Sequence, residues 1–276
     1  MSSKRLISSR QCLSYKKYMS DKRSDIDPVV IVHGLFGQKR NWQSIAKALL
    51  RELNTDIYAV DLRNHGDSFW RETMEFDEMS DDLKEFLDME NLKKIHLIGH
   101  SLGGKISMKF SVNYKFLLKS LIVVDISPKK YDNEDLLNLI NIMRTHVNLN
   151  ETIDKIDKNL KSFIDNEDLR KFILTNLQRL PNGNLKWKLN LNIILKELNK
   201  LVDNVLNNDN EIFMGKTLFI IGAKSNYVDK NEFCDIKKIF PNSEFSIIEN
   251  SGHWVHHDQP QSFIRVVAEF IRSTCC

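Results

Sequence analysis

The 276-residue chain predicts an α/β fold: a mainly parallel sheet flanked by helices, with a helical cap inserted after the strand that ends at Asp125. Three observations lead there. Short β-branched runs alternate with amphipathic stretches at the interval of strand–helix–strand units. His33, Asp61, Ser101 and Asp125 fall at the carboxyl ends of those runs, where parallel sheets carry their chemistry. The alternation stops at about 129 and resumes after about 210. The helical stretch therefore lies inside one domain and does not link two.

Val29-Val30-Ile31-Val32, after Pro28, is a buried strand. Asn41 is placed to cap a helix with Trp42, Ile45, Ala46, Leu49 and Leu50 on one face. Residues 57–60 form the next strand, ending at Asp61. A helix follows over about 77–88, with Met79, Leu83, Phe86 and Leu87 apolar. Residues 95–98 are a strand, and 99–104 turn into a helix. Residues 121–124 are a strand ending at Asp125. In the insertion the spacing of Leu136, Leu137, Ile140 and Met143, then Leu169, Phe172, Ile173 and Leu177, is helical throughout. A strand at 218–221, a helix at 232–240, a strand at 245–248 and a closing helix at 259–271 complete the pattern.

Composition narrows the function. Hydrophobic residues make up 42% and charged residues 28%, as in ordinary globular proteins. The formal charge of +3 sits largely near the N-terminus, which argues against a nucleic-acid surface. No apolar run reaches the roughly 18 residues of a membrane span. The four cysteines, 12, 234, 275 and 276, have neither metal-ligand nor disulfide-framework spacing, which fits a reducing compartment. The pair Cys275-Cys276 has the outward form of a prenylated tail, although a frayed end is the simpler reading. Residues 1–20 carry Lys4, Arg5, Arg10, Lys16 and Lys17 with several serines and no acid. That is the composition of a mitochondrial presequence, with a disordered cytoplasmic tail as the alternative. Residues 1–12 are accordingly set apart from a domain over 13–276, with its cap at about 129–210.

Gly99-His100-Ser101-Leu102-Gly103, followed by Gly104, fits the G-x-S-x-G elbow. A strand must turn sharply into a helix there while the serine holds a strained conformation, so its neighbours must be small. The helix N-terminus then favours negative charge developing near Ser101. His33-Gly34-Leu35-Phe36-Gly37 follows the first strand. It is expected to supply the Leu35 N–H to an oxyanion hole, with the Leu102 N–H as the second donor. His33 itself is expected to be structural, and Phe36, His100 and Trp254 to shape the substrate pocket. Gly252-His253-Trp254 places His253 as the base, ahead of His256 and His257, which lie beside Asp258 at the expected cap of the last helix. The base needs a carboxylate at Nδ1. Many proteins of this design carry it three residues beyond a glycine after the insertion. Here that position, counted from Gly222, is Ser225, which cannot serve. Asp125 is the expected acid, and Asp229 the alternative. In the loop Asp61-Leu-Arg63-Asn-His-Gly-Asp-Ser68, Asp61 and Arg63 are expected to hold the loop by a charge-assisted hydrogen bond. No metal site is expected there, because no second ligand cluster has suitable spacing.

Together these segments resemble the α/β-hydrolase superfamily. The HGLFG turn, Asp61-x-Arg-Asn-His-Gly-x-Ser68, Gly99-His-Ser-x-Gly-Gly-Lys105 and Asp125-Ile-Ser-Pro128 are similar to the subgroup of alpha/beta-hydrolase domain-containing protein eleven and related bacterial esterases. Leu174-Thr-Asn-Leu177, Trp187-Lys-Leu-Asn190 and Asp258-Gln-Pro-Gln261 fit as well. The resemblance implies the α/β-hydrolase fold and a mitochondrial serine hydrolase of esters, thioesters or acylglycerols. It implies no cofactor, a small-molecule or lipid acyl substrate, and an acid from the strand after the nucleophile. The family's sheet usually begins with more strands. Only 13–19 is free to supply one here. The alternative from another class is a ligand- or partner-binding protein on the same fold with slow turnover.

Overall fold

The computed structural model describes residues 12–22, 24–206 and 211–275, so most of the expected presequence and Cys276 lie outside the described residues. The chain opens with strand β1 (Tyr15–Tyr18), then β2 (Val29–Val32), helix α1 (Gln43–Leu53), β3 (Ile57–Val60), α2 (Phe76–Met89), β4 (Ile95–His100), α3 (Leu102–Asn113) and β5 (Leu118–Val124). It then leaves the sheet for α4 (Glu134–Thr145), α5 (Ile153–Leu160), α6 (Glu167–Leu174), a hairpin of β6 (Leu177–Arg179) and β7 (Leu185–Trp187), and α7 (Leu191–Leu201). β8 (Lys216–Gly222), α8 (Phe233–Ile239), β9 (Ser243–Ile248), one-turn α9 (Val255–Asp258) and α10 (Pro260–Ser273) finish the chain.

Seven strands form one sheet in the order β1-β3-β2-β4-β5-β8-β9. Every pairing in it is parallel except the edge pair β1–β3. β1 is the strand for which 13–19 left room. Successive residues of a strand face opposite sides, and both sides are buried, which explains the continuous β-branched runs. Val29, Ile31, Ile57, Ala59, Ile98 and Ile122 pack with α1 and α10. Val30, Val32, Tyr58, Val60, Leu97 and Leu121 pack with α2, α3 and the insertion.

Three local expectations are corrected. Asn41 does not cap α1. It lies inside a short 3-10 turn, Lys39–Trp42, and its side chain accepts the Gln38 N–H at 2.8 Å. The insertion is not wholly helical, because β6 and β7 interrupt it and place Leu177 in a strand. Asp258 does not cap the last helix. It ends α9, and its carboxylate accepts the Gly252 N–H at 2.8 Å, which holds the loop carrying His253.

Candidate active site

His100 pairs with Val124 at the ends of β4 and β5, so Ser101 and Asp125 are the next residues on adjacent strands. Both have a φ of 51°, and Phe36 has 61°. Backbone strain of this kind, on the order of 1–3 kcal/mol per residue, persists only where the surroundings over-determine it. Ser101 is held by its N–H to the Val124 carbonyl at 3.0 Å, and Asp125 by its N–H to the Ile220 carbonyl at 2.8 Å. A side chain at Gly99 would meet the Gly103 carbonyl, and one at Gly103 would meet the Val32 carbonyl. The elbow thus needs glycine at both places because backbone passes where a Cβ would sit.

Asp125 is fully buried, and its Oδ2 lies 2.7 Å from His253 Nδ1. Oδ1 accepts the Gly222 N–H at 2.9 Å, and Oδ2 also accepts the Ser225 hydroxyl. The position that cannot supply a carboxylate thus supplies a donor to one. Asp229 is engaged elsewhere: its side chain accepts the Asn231 N–H at 2.8 Å in a capping turn. The His253 ring stacks on Tyr227 at 3.9 Å between centroids. Its carbonyl accepts from His100 Nε2 at 2.9 Å. His100 is buried, and burial lowers its pKa well below the ordinary value. It is therefore a neutral strut under the loop as well as a cavity wall. His256 lies 4.0 Å from Trp42 in a stacked pair, and His257 is exposed beside Asp258.

Ser101, His253, Leu35, Phe36, His100, Leu102 and Trp254 all line one cavity of about 760 Å³. No hydrogen bond joins Ser101 Oγ to the His253 ring among the described residues, a contact that often tightens only when substrate is present. Leu102 opens α3, so its N–H has no acceptor one turn back. The Leu35 N–H has no acceptor among the described residues. The roof comes from the insertion: Leu136, Leu139, Ile142, Leu169 and Phe172 face the same space.

His33 is structural, as expected. Its Nε2 accepts the Leu62 N–H at 3.0 Å, so Nδ1 carries the proton and donates to the Gly34 carbonyl at 2.8 Å. Asp61 and Arg63 do hold their loop by charge-assisted bonds, Asp61 to the Asp67 N–H inside it at 2.9 Å and both residues to partners outside it. Asp61 pairs with Lys39, and Arg63 pairs with Glu78 and Asp82, each at 2.6 Å. Sequence reasoning missed Ser225 and Tyr227 as neighbours of Asp125 and His253. Ser225 carried a signal, since it occupies the usual acid position, whereas nothing in the sequence marks the Tyr227 stack.

The model of the alpha/beta hydrolase fold matches residues 27–166. The sn-1-specific diacylglycerol lipase ABHD11 of Mus musculus is 33% identical over 265 residues, which is 94% of this chain and 85% of its own. A putative esterase/lipase of Haemophilus influenzae is 31% identical over 266 residues, 96% of this chain and 90% of its own. A solved marine microorganism esterase superposes with a TM-score of 0.88 at 34% identity, covering 94% of this chain and 99% of that one.

Proposed function

The chain belongs to the alpha/beta hydrolase family and is a carboxylic ester hydrolase of it, and from that premise we propose that Ser101, His253 and Asp125 carry its reaction. The observation that supports this most is the 2.7 Å contact of His253 Nδ1 with the buried carboxylate of Asp125, beside a serine held at a φ of 51°. Ser101 Oγ attacks the acyl carbonyl, and its proton passes to His253 Nε2. Asp125 fixes the ring with its proton on Nδ1 and stabilises the imidazolium. The Leu35 and Leu102 N–H groups receive the oxyanion. The C–O bond to the alcohol breaks, and the alcohol leaves with the proton from His253. Water, losing its proton to His253, attacks the acyl-enzyme and releases the acid and Ser101.

The substrate class we favour is a neutral ester with an apolar acyl chain, acylglycerols included. The insertion side of the cavity carries leucine, isoleucine and phenylalanine beside Asp132, Asp135, Asp165 and Asp168. The apolar side chains suit an acyl chain and the carboxylates disfavour an anionic substrate, and the volume of about 760 Å³ suits a ligand of that size. A panel of p-nitrophenyl esters and diacylglycerols tests this. The wild type is expected to turn over several of them and Ser101→Ala none. Turnover that survives Ser101→Ala would remove the reading, and a folded wild type inert on all of them would favour the binding-protein alternative. A mitochondrial location remains our proposal from the basic, acid-poor N-terminus. Failure of the full chain to enter isolated mitochondria would count against it. Among the described residues no helix is long and apolar enough to cross a membrane.

A further inference from the structure

The turn that carries the Leu35 N–H closes with the Gly37 N–H on the Gly34 carbonyl at 2.9 Å. Phe36, its third residue, has a positive φ of 61°, a position that favours Gly or Asn. Phe36 is held on both sides. Its N–H donates to His65 Nε2 at 3.2 Å. Its carbonyl accepts from Asn176 Nδ2 at 2.8 Å. His65 and Asn176 are both fully buried.

Each partner is itself fixed. His65 donates from Nδ1 to the Arg63 carbonyl at 2.9 Å, so its Nε2 is left as an acceptor. Arg63 is anchored on α2 through Glu78 and Asp82. Asn176 follows α6, and its backbone carbonyl accepts the Lys188 N–H at 2.8 Å. One support therefore comes from the loop after β3, and the other from the insertion.

We propose that His65 and Asn176 are positioning residues for the oxyanion hole: together they clamp Phe36 and so aim the Leu35 N–H at the carbonyl that Ser101 attacks. This rests on the serine hydrolase reading above. Two further observations support it. Asn176 Oδ1 has no partner among the described residues. A buried amide left half unsatisfied costs about 1–3 kcal/mol, so an apolar side chain of that size would serve packing better. What the asparagine adds is its Nδ2 donor, whose shortest bond is the one to Phe36, ahead of longer ones to the Ile173 carbonyl at 3.3 Å and the Phe172 carbonyl at 3.5 Å. Burial also pushes the His65 pKa down to about 3. The ring therefore remains a neutral acceptor wherever a histidine base can work.

The test uses the full chain with His65→Phe and Asn176→Leu. Rates on a short neutral ester, p-nitrophenyl butyrate, are normalised to sites titrated by a fluorophosphonate. Inhibition by a trifluoromethyl ketone, whose serine adduct carries an oxyanion, is measured alongside. We expect kcat to fall about 10- to 100-fold, less than the roughly 10²- to 10³-fold cost of losing a donor outright. KM should stay within about twofold, and the ketone should weaken by the same factor as kcat. A kcat per titrated site that is unchanged would overturn the proposal. So would a fall in kcat with no change in ketone affinity. Should His65→Phe fail to fold, Asn176→Leu decides alone, because it deletes an unsatisfied oxygen and is the milder change. A wild type that neither titrates nor turns over would remove the hydrolase reading itself, and the proposal with it.

Discussion

At the scale of the residue, the Asp125 carboxylate serves three donors at once: His253 Nδ1, the Gly222 N–H and the Ser225 hydroxyl. Ser225→Ala removes one of them and leaves Oδ2 held by His253 Nδ1 alone, so the carboxylate and the ring are positioned less firmly. kcat is expected to fall about two- to tenfold with KM little changed. An unchanged kcat would show that the Ser225 bond does not help to position Asp125. Ser101 and His253 were legible because each stands in a short glycine-flanked motif after a strand. The roles of Ser225 and Tyr227 were not, because they arise from where two distant loops meet.

At the scale of the element, the insertion is fastened where it leaves and rejoins the sheet. Lys105 is buried on α3, and its ammonium donates to the Lys129 carbonyl at 2.7 Å, the Val202 carbonyl at 3.3 Å and the Asp203 carbonyl. Burial pushes its pKa down to about 7, and the charge of the Asp203 carboxylate opposes that. The Tyr131 N–H on the Val202 carbonyl and the Val205 N–H on the Pro128 carbonyl stitch the same stems. Lys105→Met strands the Lys129 and Asp203 carbonyls, which costs on the order of 1–3 kcal/mol for each one left dry, while the Val202 carbonyl keeps the Tyr131 N–H. Limited proteolysis is expected to cut the variant near 129–131 and 202–206 well before it cuts the sheet. Equal resistance of variant and wild type would contradict this. The sheet strands were readable because burial on both faces writes an unbroken apolar run. The hairpin was not. Each of its strands is three residues long with one buried residue, Leu177 or Leu185, too short for an alternating pattern to show.

At the scale of the whole molecule, four histidines are fully enclosed: His33, His65, His96 and His100. Burial pushes His65 down to about 3 and His96 to about 4, and lowers His33 and His100 from the ordinary 6.5. The folded chain keeps all four neutral, while the unfolded chain protonates them below about 6.5. Their burial therefore carries no protonation penalty above that pH, and stability falls as pH drops from about 6.5 toward 4, by at most about 1.4 kcal/mol per pH unit for each histidine. Urea unfolding should give a lower midpoint at pH 5 than at pH 7, and equal midpoints would contradict the assignment. The parallel order of the sheet and the place of the insertion were legible from the alternation of runs. The route by which the insertion reaches the Phe36 turn was not, because Gln38, Asn64, Asn176 and Asn190 contribute single hydrogen bonds that have no periodicity. In the proposed reaction Ser101 is a nucleophile activated by His253, and His253 is oriented by Asp125. The direct measurement is the rate of fluorophosphonate labelling, with the modified residue located by mass spectrometry, for the wild type, Ser101→Ala and Asp125→Asn. Label is expected on Ser101 alone, none in Ser101→Ala, and a labelling rate reduced on the order of 10³- to 10⁴-fold in Asp125→Asn. Labelling of Asp125→Asn at the wild-type rate would contradict it and return the acid to Asp229.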